Sequence, residues 1–564
     1  MQESPRLVII GGVAAGPKAA ARARRLLPKA HITVVDRSKW ISYAGCGMPF
    51  FLDGQVENFD DLFNTAYNVM RDEGYFLREK GITVLTRTEA LEIDRRGKRV
   101  RLHELTTGTE QWLPYDKLVI ATGAAPVIPP VEGMDLQGVY VFNHPGDLLN
   151  VMEHIDRVDE AVVIGGGFIG MEVAGALRNR KILTTVVERQ DQILPGVLDA
   201  DLAQVLKARL ESQGIDFALG ETVVRLEGNN GRVSRVVTNH GVLDAALVIV
   251  AVGVRPNVGL ARAAGLAIGD TGAIRVNEYL QTSDPDIYAC GDCAENVHIL
   301  TGRKTYVPLA SSANRQGRVV GDHIAGRRNR YEGVLGTALL RINNWNVGRT
   351  GLGEQQAQDL GFETVTAVTP AHDRSHYYPG HSLVILKMIA ERGTNRLLGV
   401  QAIGPGSLDK RIDVAATAIS FGATLDNIVD LDLGYAPPFN TTIDPLQHTA
   451  NTLRNKLAGL VPMISARDLW AKLQTGEDFV LLDVRTVREH DSKPLRDPRV
   501  LHVVMGELRE RIDSIPRDKE IVVFCDLGIR SYEALRVLRG AGFTRVLSME
   551  GGMRLWAFGP SGML

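Results

Sequence analysis

The sequence predicts a multidomain α/β protein in which one βαβ unit occurs twice, and three observations carry that expectation. The first is length. A chain of 564 residues corresponds to three or four domains at roughly 150 residues each, and several cores of that size need no disulfide or metal staples. The second is a repeated pattern. The β-branched run Leu7–Ile10 leads into Gly11, Gly12 and Gly16, then an Ala/Arg-rich stretch and a second strand reaching Asp36. Residues 161–188 repeat the scheme through Val162–Ile164, Gly165 to Gly170, a helical stretch and Thr184–Val187 before Glu188. The third is glycine, whose 58 occurrences exceed the usual share of roughly 7% without a collagen period.

Composition narrows the function. With 64 basic and 66 acidic residues the formal charge is -2, which argues against a nucleic-acid-coating protein. Hydrophobic content of 45% and charged content of 23% are ordinary globular values. Four cysteines are too few for an extracellular disulfide scaffold. The apolar runs Leu7–Ile10 and Ala245–Val254 are too short for a signal peptide or membrane span, so a cytoplasmic protein is expected.

Each element follows in order. In a βαβ unit the free amides and dipole of the helix face a pyrophosphate, and glycines let the backbone approach it. The acid after the second strand accepts from ribose hydroxyls. The second copy carries the full G-x-G-x-x-G spacing at Gly165, Gly167 and Gly170, with Phe168 and Ile169 between, whereas the first has Val13 at the middle position. Further apolar strands run into Thr122-Gly123, into Gly253 and, from Ile287, into Asp292. Alternating strand patterns begin near Val334, a helix is expected over Leu408 to Phe421, and a connection over Thr452 to Pro462 precedes a βα segment from Ile464.

The two units, the Ala-Thr-Gly strand end and Tyr288-Ala-Cys-Gly-Asp292 together resemble the two-dinucleotide-binding flavoprotein reductases over residues 5 to about 450. That resemblance implies a glutathione-reductase-like architecture. It comprises two Rossmann-like domains, an FAD domain of residues 1–150 and 271–333 and an NAD(P)H domain of 151–270, plus an α+β dimerisation domain of 334–451 that makes a homodimer. It places Gly11, Ala15, Asp36 with Arg37, Thr122, Gly123, Asp292 and Ala310 at FAD. Gly165, Gly167, Phe168, Ile169, Gly170, Glu188 and Gly253 fall at the nicotinamide nucleotide. Glu188 favours NADH over a 2′-phosphate, while Arg189 leaves NADPH open.

Cys46, in Ser42-Tyr-Ala-Gly-Cys-Gly-Met-Pro-Phe50, has no second cysteine within twenty residues. The pattern resembles the single-cysteine subgroup: CoA-disulfide reductases, NADH oxidases and peroxidases, and persulfide or polysulfide reductases. His376-Tyr-Tyr-Pro-Gly380 and Gly434-Tyr-Ala-Pro-Pro-Phe439 resemble segments of the CoA-linked members, which implies that Tyr377 and Tyr435 reach the partner subunit's cysteine and protonate a leaving thiolate. Lys18, Arg22 and Arg25 share one helical face. That face is either solvated or, by the resemblance, Lys18 and Arg22 hold coenzyme A phosphates near Ser42, with Arg25 and Lys80 contributing. No metal site is expected.

At the C-terminus, Leu481-Leu-Asp-Val-Arg485 with Glu489, followed by Cys525-Asp-Leu-Gly-Ile-Arg530 after a strand, resembles a rhodanese domain (463–564, after a 452–462 linker). A cysteine at such a strand-to-helix turn is ringed by backbone N–H groups that favour thiolate and persulfide anions. Arg530 anchors the loop or binds an anionic sulfur donor. Asp483, Arg485 and Glu489 are expected to maintain the scaffold, and Asp526 puts an acid where thiosulfate users commonly carry a base. The combination resembles fused CoA-disulfide reductase–rhodanese proteins. It implies an enzyme that reduces persulfide, polysulfide or CoA disulfide through Cys46, with sulfur delivered by Cys525. Alternatives are a CoA-disulfide reductase without persulfide activity, an NADH oxidase or peroxidase, and a redox-sensing flavoprotein. Cys290 and Cys293 are expected to be packing residues.

Overall fold

The computed structural model describes residues 4–558, which group into two compact units. The first unit takes in the chain up to Gly165, with Gly175–Ile182 and Val223–Gly336. Its central sheet is parallel, in the order Ile287–Ala289, Lys117–Ile120, Arg6–Ile10, His31–Val35 and Thr83–Leu85. Leu7, Val8, Ile9, Val34 and Val35 are buried. Strands covered on both faces read as continuous apolar runs, which is why the β-branched segments were legible. The second strand stops at Val35, so Asp36 sits just past its end. The helix Ala15–Leu26 packs against Ala310–Ile324 because small residues let the backbones approach: a Cβ on Gly317 would lie 2.4 Å from the Ala15 carbonyl oxygen. The same unit holds the parallel strands Val139–Val141, Leu247–Val250 and Glu160–Ile164, and an antiparallel sheet of Thr88–Asp94, Arg99–Glu104 and Glu110–Pro114.

The second unit comprises Gly166–Ala174, Leu183–Thr222 and the chain from Thr337. Leu183–Glu188 pairs in parallel with Ile215–Leu219. An antiparallel five-stranded sheet follows, ordered Ala338–Ile342, Trp345–Gly351, Leu397–Gly404, Leu383–Glu391 and Thr364–His372. The helix expected over 408–421 spans Asp409–Ser420. One expectation needs correction. The 452–462 connection is helical as far as Leu457, because the helix Pro445–Leu457 starts at a capping box on Asp444 with Pro445 in its first turn and runs on into it. A parallel sheet of Met463–Ile464, Val546–Met549, Glu520–Phe524, Phe479–Asp483 and Val500–His502 closes the chain.

This last domain is wired to the antiparallel sheet. Glu550, buried just after Val546–Met549, accepts from the Val368 amide at 3.3 Å and from Lys456 Nζ at 3.4 Å. Burial holds its carboxyl above the usual range, with Lys456 opposing.

Candidate functional site

The two βαβ units are built alike down to single atoms. Gly11 and Gly165 adopt φ of 116° and 109°. A Cβ there would lie 2.0 Å from the Ala121 carbonyl oxygen and 2.4 Å from that of Ala251, so only glycine fits. The next amide binds the closing acid in each copy: Gly12 N donates to Asp36 Oδ2 at 2.6 Å, and Gly166 N to Glu188 Oε2 at 2.8 Å. The second carboxylate oxygen accepts from Ser38 N and from Gln190 N. Around Gly167 a Cβ would meet no atom within 4 Å, which leaves room for a phosphate against the helix that Phe168 and Ile169 begin; Gly253, in the first unit, is likewise open to a Cβ.

The residues of the first turn fit a flavin nucleotide. Burial lifts Asp36 above the ordinary carboxylate range despite its two amide donors and the exposed Arg37 beside it. Burial alone pushes Asp292 up to about 6, the condition of a carboxylate suited to ligand hydroxyl donors. Thr122 and Asn257 clasp each other through Thr122 Oγ1 to Asn257 O at 2.7 Å and Asn257 Nδ2 to Thr122 O at 2.9 Å, fixing the strand end before Gly123. Ala310 opens its helix exposed, whereas Ala15 is buried where the two helices cross. Cys290 and Cys293 are wholly buried, and burial raises both thiols.

Cys46 is exposed, in the short turn Gly45–Gly47 that leads into Met48–Leu52 with Pro49 in its first turn. The approach to it is strained. Ser42 is buried at φ 52°, its amide donating to Gly12 O at 2.7 Å, so the segment is bolted to the first glycine turn. Of the basic helical face, Lys18 and Arg25 are exposed, but Arg22 is drawn into an ion pair with buried Asp322 at 2.5 Å. Lys80 lies 5.1 Å over the Tyr75 ring. In the second unit Tyr377 is 66% and Tyr435 47% exposed.

The C-terminal loop is the most completely defined chemistry. Gly528 takes φ 95° as the cap of Ile529–Gly540, and its amide donates to Cys525 Sγ at 3.1 Å. The thiol in turn faces Ser531 Oγ at 3.7 Å. Gly552 has no room for a Cβ, which would sit 2.3 Å from the Cys525 carbonyl oxygen. Arg530 is held by Glu489 in two bonds of 2.6 and 2.7 Å, so it anchors the loop. Asp483 and Arg485 are buried as a bidentate pair. Among the described residues Asp483, His490 and His502 alone bring ligand atoms within 4.8 Å of one another. The Asp483 oxygens are occupied by Arg485 and His490, His502 Nε2 meets the Arg485 carbonyl at 2.9 Å, and the two imidazoles stack at 4.2 Å. That arrangement is a scaffold network, since a cation there would face the guanidinium.

Two functional candidates escaped the sequence reading. Glu172, two residues past Gly170, is pushed up to about 7 by burial; a lone carboxylate on the apolar first two turns of the helix was the available signal. Arg554 binds Asp526 Oδ2 at 2.9 Å and carried no local signal.

The pyridine nucleotide-disulphide oxidoreductase model matches residues 5–317, its dimerisation-domain model residues 337–446 and the rhodanese-like domain model residues 465–558. An NAD(P)H coenzyme A polysulfide/persulfide reductase of Pyrococcus horikoshii is 39% identical, covering 80% of this chain and 98% of that protein. The solved NAD-dependent persulfide reductase from A. fulgidus superposes with a TM-score of 0.93 at 42% identity, over 98% of this chain and all of that one. Reduced Bacillus anthracis CoADR-RHD gives 0.89 at 32%, over 98% of each chain. On these matches the chain belongs to the pyridine nucleotide-disulphide oxidoreductase family and carries a C-terminal rhodanese-like domain.

Proposed function

We propose that the chain is an FAD-dependent NAD(P)H persulfide or polysulfide reductase in which Cys46 cleaves the sulfur–sulfur bond and Cys525 carries sulfane sulfur. The observation that supports this most is the environment of Cys525: a thiol held at 3.1 Å from the Gly528 amide, at the start of a helix, stabilises a bound persulfide anion. Bound FAD and NADH supply a two-electron path. The Cys46 thiolate attacks a persulfide, forming one sulfur–sulfur bond and breaking another, so that sulfide or a thiolate leaves. Two electrons and one proton then return the Cys46 adduct to thiolate, releasing the free thiol where sulfide left first and hydrogen sulfide where the thiolate left first. Glu188 selects NADH by accepting from the ribose, and Lys18 and Ser42 belong to the coenzyme A site. Tyr377 and Tyr435 protonate the leaving sulfur across a homodimer. The cytoplasm suits this chemistry, and no helix among the described residues is long and apolar enough to cross a membrane.

The test is anaerobic titration with NADH against CoA persulfide, glutathione persulfide and polysulfide, with sulfide quantified. One sulfide per NADH is expected, and none from Cys46→Ser that still retains FAD. Sulfide release at the wild-type rate from Cys46→Ser overturns the role of Cys46. NADH consumption balanced by hydrogen peroxide under air, without sulfide from any acceptor, overturns the reductase reading.

A further inference from the structure

Tyr377 and Tyr435 stand on two loops of the second unit, and neither loop is free at its base. Tyr377 lies in residues 374–381, between the strands Thr364–His372 and Leu383–Glu391. The neck of that loop is closed by a reciprocal pair: Asp373 N donates to Ser382 O, and Ser382 N to Asp373 Oδ1, both at 2.9 Å. Tyr435 lies in residues 434–440, where Asn440 Nδ2 donates to Gly434 O at 3.2 Å and closes the second loop on itself. The two phenols are 66% and 47% exposed, so the bases of their loops place them more than packing does.

One side chain grips both bases. Arg411, in the helix Asp409–Ser420, is 1% exposed. Its Nη2 donates to Asp373 O at 2.7 Å and to Asn440 Oδ1 at 2.9 Å, and so bridges the neck of one loop and the residue that closes the other. Its Nη1 donates to Ser407 O at 2.5 Å, and its Nε to Asp444 Oδ2 at 3.0 Å. Lys410 beside it donates to Phe439 O at 2.9 Å. A buried ion pair adds little stability over apolar packing, so stability alone does not account for an arginine here. A rigid planar fork that reaches two loops at once does, and a lysine does not reproduce it.

We propose that Arg411 is the positioning residue for both phenols: through Asp373 and Asn440 it fixes where Tyr377 and Tyr435 stand, and thereby aligns proton delivery to the leaving sulfur. This rests on the proton-donor role of the two tyrosines proposed above. In that step Cys46 Sγ bonds to one sulfur of the acceptor, and the acceptor's sulfur–sulfur bond breaks. Its electron pair stays on the leaving sulfur, which takes the phenol proton, and water returns a proton to the phenolate. Cys46 is thereby oxidised and the leaving sulfur reduced.

The test compares two acceptors on the full-length, FAD-containing protein, reading kcat/KM for the acceptor at saturating NADH without air. CoA persulfide expels an alkylthiolate or hydrosulfide, basic enough to need a proton donor. The mixed disulfide of CoA with 5-thio-2-nitrobenzoate expels an acidic aryl thiolate, which needs none. Arg411→Lys keeps a cation beside Asp444 but loses the fork. It is expected to slow the persulfide about tenfold and the aryl disulfide less than about twofold. Asn440→Ala cuts only the Tyr435 branch. It is expected to slow the persulfide further in the Tyr377→Phe protein, yet to add less than about twofold to Tyr435→Phe, because residues acting through one group are not additive. No slowing of the persulfide by Arg411→Lys, equal slowing of both acceptors with flavin retained, or an additive loss from Asn440→Ala in Tyr435→Phe would overturn the proposal and leave Arg411 a staple of the fold. If Tyr377→Phe and Tyr435→Phe themselves slow both acceptors alike, the proton-donor reading falls first and takes the proposal with it. Where Arg411→Lys does not fold, the Asn440→Ala pair of comparisons decides.

Discussion

Replacing Glu489 by Gln removes the carboxylate that grips Arg530 and also accepts from Thr486 N and Oγ1 at 2.9 and 2.7 Å. Those donors, Arg530 first, hold the Glu489 carboxyl down to about 2 from an ordinary 4.5. The interval, 4.5 minus 2, is about 2.5 pH units, or at most about 3.4 kcal/mol at ~1.36 kcal/mol per unit. Glu489 is about one-third exposed, so screening reduces this to about 1–2 kcal/mol. The pKa is depressed on folding. The stabilisation is therefore complete above pH 4.5 and disappears as pH falls toward 2. Hydrogen exchange of the 525–531 amides in the full-length protein is the assay. At pH 7 the Glu489→Gln variant is expected to exchange there about tenfold faster than wild type, since ~1.4 kcal/mol is a factor of ten. Exchange in the nucleotide-binding unit stays unchanged. Unaltered loop exchange at pH 7, or a difference that widens on acidification, refutes the idea that this pair holds the loop.

Two further outcomes follow from the nucleotide-binding half. Gly11→Ala drives a Cβ into the Ala121 carbonyl at 2.0 Å and strains φ 116°; a loss of about 2–4 kcal/mol and flavin-free protein are expected, read by the 450 nm absorbance of purified material. Glu172, lifted from 4.5 to about 7 by burial, favours its protonated form in the folded chain, so its contribution is complete below pH 4.5 and lost as pH rises through 7. Thermal midpoints of the nucleotide-free protein measured from pH 5 to 8 should fall less steeply for Glu172→Gln than for wild type, and parallel profiles would remove Glu172 as the titrating group.

What could be read from the sequence was whatever repeats at short range. The glycine turns and closing acids declared themselves because Gly11, Gly12 and Asp36 lie within one βαβ unit, and Gly165, Gly166 and Glu188 within the other. Cys525 and Arg530 sit in one six-residue loop. Contacts between distant segments left no trace: Arg22 meets Asp322 three hundred residues later, and Asp526 meets an arginine beyond the next helix and strand. The helix that continues to Leu457 was missed because Asn451, Thr452 and Asn455 have modest helix propensity, which its buried Ala450 and Leu453 override. Asp483, Arg485 and Glu489, expected as scaffold, are paired with one another or with Arg530 in the fold, and which charges pair is a property of the folded chain.

The Glu550 contact joins the rhodanese-like domain to the sheet beside it. A protein cut at the connection before Pro462 removes the Glu550 acceptor from the Val368 amide and leaves Lys456 with the Thr366 carbonyl at 2.9 Å, and it exposes a carboxyl that burial had kept above its ordinary range. An excised sulfurtransferase domain is consequently a different molecule from the one in the fusion. The anchor ties the strand Val546–Met549 of that domain to the antiparallel sheet through one buried carboxyl, so the two share a boundary that a cut between them would open.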